Sequence, residues 1–163
     1  MGTSTHLAGE LLNSMAGIRM IHVPYRGAPE AVAGLVSGDT QLMFENLAGA
    51  LAQVRSGRLR GLAISSPKRS PQAPDLPPVA DSVPGFETGV WFGIFVPNAT
   101  PPHLIGRLNA DINTVMQSRE IREQLERLGM EPMGGSPAEA KRFVSAESAK
   151  WAKMVAASGA RLD

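Results

Sequence analysis

Residues 18–47 read IRMIHVPYRGAPEAVAGLVSGDTQLMFENL, and the order of signals inside this stretch decides the fold. An apolar run over residues 18–23 stops at Pro24, which cannot donate to a strand ladder, so the run is predicted as a strand. Pro29-Glu30 then opens a helix, because proline suits the first helical turn, and Val32, Leu35 and Val36 continue it to a stop at Gly38. Residues 41–45 are a second strand. Residues 47–56 form a helix closed by Gly57, with Arg55 and Arg58 near its negative end, and residues 60–65 are a further strand. Elements alternating at this length imply an α/β fold with a mainly parallel sheet flanked by helices.

Outward from this stretch, Leu7, Leu11, Leu12 and Met15 recur at helical spacing after the capping residues Thr3 and Ser4, and Gly17 marks the stop. Downstream, Pro67, Pro71, Pro74, Pro77, Pro78 and Pro84 make an ordered connector that is neither helix nor central strand. Residues 90–96 are a strongly apolar strand. Thr100-Pro101 is predicted to cap a helix striped by Leu104, Ile105, Leu108, Ile112, Val115 and Met116. A shorter helix carries Ile121, Leu125 and Leu128 on one face, with Glu123 and Arg127 in the acid-first spacing and Gly129 as its stop. Ser136-Pro137-Ala138-Glu139 is a capping box, and Phe143, Val144, Trp151, Met154 and Val155 carry the last helix to Gly159. Two segments follow: 1–88, an α/β ligand-binding part with the connector, and 89–163, a crossover strand with the final helices.

Composition narrows the function classes. The 16 basic and 15 acidic residues cancel to +1, so the concentrated positive charge that a phosphate backbone requires is missing and nucleic acid is not an expected partner. No cysteine is present, which removes disulfides and thiolate chemistry. His6, His22 and His103 lack metal-ligand spacing, and His22 on an apolar strand reads as a satisfied core residue. Neither a Walker loop nor a dinucleotide fingerprint occurs, and no cofactor or metal is expected. Gly2-Thr3-Ser4-Thr5-His6 superficially suggests a nucleophile elbow, but His6 replaces the second glycine, so the reading is a binding protein and not an enzyme.

In open α/β sheets, ligands sit beyond the carboxyl ends of strands, where the next helices begin. Three such starts stand out: Gly2-Thr3-Ser4, Tyr25-Arg26-Gly27 and Glu45-Asn46. Unpaired N–H groups and the positive end of the helix dipole favour an anion at each, about 0.3–1 kcal/mol when exposed. Arg26 adds a fork that matches a carboxylate. Each residue also has a plainer role: Thr3 and Ser4 as caps, Arg26 as a solvated cation, Tyr25 as a core-edge residue, Asn46 as a turn residue and Glu45 as an electrostatic cap.

Several ordered motifs resemble the tripartite tricarboxylate transporter receptor family, the Bug family of extracytoplasmic solute receptors. They are Gly2-Thr3-Ser4 with His6-Leu7-Ala8-Gly9-Glu10, His22-Val23-Pro24-Tyr25-Arg26-Gly27, Met43-Phe44-Glu45-Asn46-Leu47, Pro74-Asp75-Leu76-Pro77, Pro84-Gly85-Phe86, Trp91-Phe92-Gly93 and Ser158-Gly159-Ala160-Arg161-Leu162-Asp163. The resemblance implies the carboxy-terminal half of a two-lobed periplasmic receptor that closes on a small organic acid and hands it to a membrane permease. It makes Gly2, Thr3, Ser4 and His6 ligand-binding candidates, with Tyr25, Arg26, Gly27, Glu45 and Asn46 beside them. Glu45 departs from the family's usual aspartate, and Asn98-Ala99 from its Ala-Gly. The amino terminus lacks the charged and apolar regions of a signal peptide, and most of the first lobe is expected to be absent. Residues 90–96 and part of residues 104–116 are then left uncovered, which predicts a homo-oligomer. A non-binding self-assembly module is the alternative reading.

Overall fold

Helix α1, Ser4–Ala16, begins at Thr3, whose extended backbone and hydroxyl make it the cap, and ends at Gly17 with φ 65°. The helix buries Leu7 and Ala8. Helix α2, Ala28–Ser37, has proline in its first turn and ends at Gly38 with φ 88°, a left-handed value that a side chain would penalise. Helix α3, Leu47–Arg55, buries Leu51 and is followed by Gly57 at φ 72°. The structure, a computed structural model, describes residues 2–158. The predicted stop at Gly159 and the closing motif through Asp163 lie outside the described residues.

The helices fall where the sequence places them; the sheet does not form as expected. Among the described residues, pairing is limited to a parallel bridge between Ile64 and Pro78 and an antiparallel one between Ser70 and Ala73. The first is made by the Ile64 N–H donating to the Pro77 carbonyl (2.9 Å) and the Val79 N–H donating to the Ile64 carbonyl (2.8 Å). Residues 18–23, 41–45 and 90–96 are non-helical and carry no ladder. A strand, unlike a helix, satisfies its backbone on a neighbour, so β-prone sequence alone does not make one. Ile21 (88% exposed) in residues 18–23, and Phe92 (78%) and Ile94 (75%) in residues 90–96, stand open to solvent.

The described chain divides into two units, one of residues 2–90 with 153–158 and the other Trp91–Ala152. The first contains the core, namely Leu7, Ala8, Leu51, Ile64, Ala73, Phe86 and Met154. The proline connector is ordered, as expected, and includes a 3-10 turn at Val79–Asp81. Gly85 at φ 85° completes a turn in which the Phe86 N–H donates to the Val83 carbonyl. Phe86 is thereby set into the core, stacked on Phe44 at 6.0 Å. Burial of such a ring contributes about 1.5–3 kcal/mol.

The second unit holds α4, Pro102–Gln117, α5, Arg119–Arg127, and most of α6, Pro137–Ser158. Thr100 does not cap α4. Pro101 takes that position and Pro102 follows inside the first turn; a proline there has no N–H, so one fewer donor needs a cap. The expected Glu123–Arg127 spacing yields instead an Arg119–Glu123 pair at 2.6 Å. The capping box of α6 forms as predicted: the Ser136 N–H donates to Glu139 Oε2 (2.7 Å) and the Glu139 N–H donates to Ser136 Oγ (3.2 Å). Asn113 holds both backbone polar groups of Gly135, donating to its carbonyl (2.9 Å) and accepting from its N–H (3.1 Å). Trp91 meets Phe143 edge-on at 5.4 Å. No helix among the described residues is long and apolar enough to cross a membrane.

Candidate functional site

The three helix starts singled out by the sequence differ in one electrostatic respect. At α2 the Arg26 N–H donates to Glu30 Oε2 (3.0 Å), so a carboxylate of the chain already occupies the positive end of that helix. At α3 the Asn46 N–H donates to Glu45 Oε1 (2.8 Å), which does the same there. Helix α1 has no acidic residue in its first turn. Its first N–H groups have no partner within the helix, as at any helix start.

Around that start the chain is held by short-range bonds. Thr3 Oγ1 accepts the His6 N–H (3.4 Å) and shares a hydrogen bond with Thr5 Oγ1 (3.0 Å). Gly2, at φ 73°, turns its N–H to donate to His6 Nδ1 (3.2 Å). A nitrogen that accepts carries no proton, so the neutral His6 ring bears its hydrogen on Nε2. That nitrogen lies 3.9 Å from Glu10 Oε1. The His6 side chain is only 9% exposed.

His22 is not the core residue that its strand suggested. It is exposed, and its ring lies on His6 with centroids 4.1 Å apart at 32°. Partial desolvation, then the charge of His6, holds its pKa below the ordinary 6.5, against a smaller opposing pull from Glu10. The sequence carried one readable hint of this cluster, the four-residue spacing of His6 and Glu10; the approach of His22 had no local signal.

Tyr25 is half-buried and leans on α2, where a Cβ built on Gly34 would stand 2.3 Å from its hydroxyl. Arg26 and Gly27 are exposed. Asn46 begins α3 without a side-chain cap bond. Among the described residues no hydrogen bond or ion pair joins the side chains of Tyr25, Arg26, Glu45 or Asn46 to the start of α1. The structure therefore brings together Gly2, Thr3, Ser4 and His6, adds His22 and Glu10, and leaves the α2 and α3 starts engaged with their own glutamates. No group of three metal-ligating side chains occurs among the described residues.

The sequence matches the tripartite tricarboxylate transporter family receptor over residues 1–160. It is 36% identical over 157 residues to the UPF0065 protein in the tcbD-tcbE intergenic region of Pseudomonas sp. (strain P51), covering 95% of this chain and 47% of that one. A second relative, the UPF0065 protein in the clcB-clcD intergenic region of Pseudomonas knackmussii, is 34% identical over 95% of this chain and 93% of its own length. Among solved structures, R. palustris Rpa4515 with adipate superposes with a TM-score of 0.85 at 34% identity, over 97% of this chain and 53% of that one. MatC from Rhodopseudomonas palustris with bound malate gives 0.79 at 28% identity, over 94% and 54%. The periplasmic binding protein BugD gives 0.80 at 28%, over 97% and 54%. The chain thus spans about half of these structures and carries part of a periplasmic-binding-protein fold. It belongs to the tripartite tricarboxylate transporter receptor family, a family of solute-binding receptors.

Proposed function

We propose that this chain supplies one wall of a periplasmic receptor site for small dicarboxylates, chemically like the adipate and malate bound by its structural relatives, for hand-over to a membrane permease. The observation that carries the reading is that α1 has no acidic residue in its first turn, whereas the α2 and α3 starts bond Glu30 and Glu45 of the chain itself. A ligand carboxylate supplies there the charge that the other two helices take from their own chain. Thr3 and Ser4 contribute backbone donors and hydroxyls, and Gly2, whose N–H is held by His6 Nδ1, shapes the turn that carries them. Tyr25, Arg26 and Gly27 follow His22, whose stacking on His6 draws that loop toward the α1 start; Arg26, Glu45 and Asn46 are rim contacts in this reading. The task is capture and release, with no bond made or broken.

Affinity sets the scale of the test. A few charge-assisted bonds of about 1.5–3 kcal/mol each must first offset the cost of immobilising the ligand, so one wall binds at about millimolar, or about 4 kcal/mol. Titration with adipate and malate, followed by amide NMR, should give saturable shifts at residues 2–7. Shifts centred on the α2 or α3 start would refute the placement, and stoichiometric labelling of Ser4 by a serine-reactive phosphonate would overturn the non-enzymatic reading.

One observation favours a second reading, self-assembly without solute binding: Ile21, Phe92, Ile94 and Phe95 are all more than two-thirds exposed. Light scattering decides it, since a strict monomer over a wide concentration range would remove the motive.

A further inference from the structure

The His6 ring is a nearly buried titratable group that solute capture through backbone donors does not use. It touches the binding turn directly, through Nδ1 on the Gly2 N–H, while its Nε2 faces Glu10 at 3.9 Å and its face meets His22. Gly2 sits at φ 73°, a conformation with no helix or ladder to enforce it. We propose that His6 is a positioning residue of the carboxylate site: as the neutral Nε2–H tautomer it holds the Gly2–Thr3 turn in the shape that presents the first N–H groups of α1. The inference rests on the binding reading above and deepens it.

Its consequence follows from proton bookkeeping. Protonation puts a hydrogen on Nδ1, which then repels the Gly2 N–H in place of accepting it, and the turn loses its anchor. The titratable groups that face His6 among the described residues are His22 and Glu10. A direct cation–carboxylate contact would have the opposite sign, because an imidazolium attracts the ligand. Positioning therefore weakens binding on acidification; contact strengthens it.

The experiment uses two substitutions and one ligand-free observable. His6→Asn places Oδ1 where Nδ1 stood, keeping an acceptor that does not titrate, whereas His6→Gln moves the polar group toward the Nε2 position. Adipate titrations between about pH 5 and about pH 8, the range in which a histidine changes charge, should show wild-type affinity falling about fivefold on acidification. The Asn variant should hold the high-pH affinity with a flat profile, and the Gln variant should be about fivefold weaker throughout. Imidazole nitrogen NMR of the ligand-free chain should show Nε2–H, with the Gly2 amide titrating alongside the ring. If the tautomer and amide behave so but no carboxylate binds, the binding reading fails and only the hold of His6 on the Gly2–Thr3 turn stands. If adipate binds equally to all three proteins at every pH, or more tightly on acidification, positioning is overturned with the binding reading intact.

Discussion

Gly34 is the position where one added carbon tests how the Tyr25 loop is seated. A Cβ there would lie 2.3 Å from the Tyr25 hydroxyl, 2.8 Å from Cζ and 3.1 Å from Cε1, so the ring must leave α2. Two effects oppose each other in Gly34→Ala. Helix propensity favours alanine by about 1 kcal/mol, since Gly34 lies inside α2. Displacing the half-buried Tyr25 ring from its seat on α2 costs about 1–3 kcal/mol, and the net expectation is a loss of about 1 kcal/mol. In a Tyr25→Ala background the obstacle is gone, and the same substitution should stabilise by about 1 kcal/mol. The double-mutant cycle should therefore show coupling of about 2 kcal/mol, read from denaturant midpoints at constant slope. Equal stabilisation in both backgrounds would refute the close approach of Tyr25 to α2 and the seating of its loop.

Ser136→Ala should cost about 1 kcal/mol by removing the α6 cap, seen as a lowered denaturation midpoint, and an unchanged midpoint would mean that the box contributes nothing. The bonds from Ser136 hold the Glu139 carboxyl below its ordinary value, so its contribution is present above that value and lost as pH falls through the folded one; Glu139→Gln should flatten this acid limb of the stability curve. His22 is also depressed, so the unfolded chain takes up a proton first as pH drops below 6.5, and stability should fall there in the wild type but not in His22→Asn. Asn113→Ala breaks both bonds to Gly135 and should cost about 1–2 kcal/mol, whereas Asn113→Asp, retaining only the acceptor, should fall between.

The helices were legible because their signals are local. Thr3, Pro29, Ser136 and Glu139 act within one turn of the helix they start, and Gly17, Gly38 and Gly57 sit where a left-handed residue ends one. Ordered motifs carried the family for the same reason, as strings whose spacing survives without coordinates. The expected cap at Thr100 failed on a local detail, the two prolines that follow it.

Everything that needed a partner from elsewhere in the chain was decided by tertiary structure. The sequence marked residues 18–23 and 90–96 as β-prone, but a ladder requires pairing with a second backbone, and among the described residues none forms there. Three helix starts looked equivalent as strings; only the rotamers of Glu30 and Glu45 separated the two that neutralise themselves from the one that does not. His22 read as core because its neighbours are apolar, yet chain folding set its ring on His6, far earlier in the sequence. Hydrogen bonds within a turn are written in consecutive residues, whereas ring stacking and charge compensation depend on distances that only the folded backbone sets.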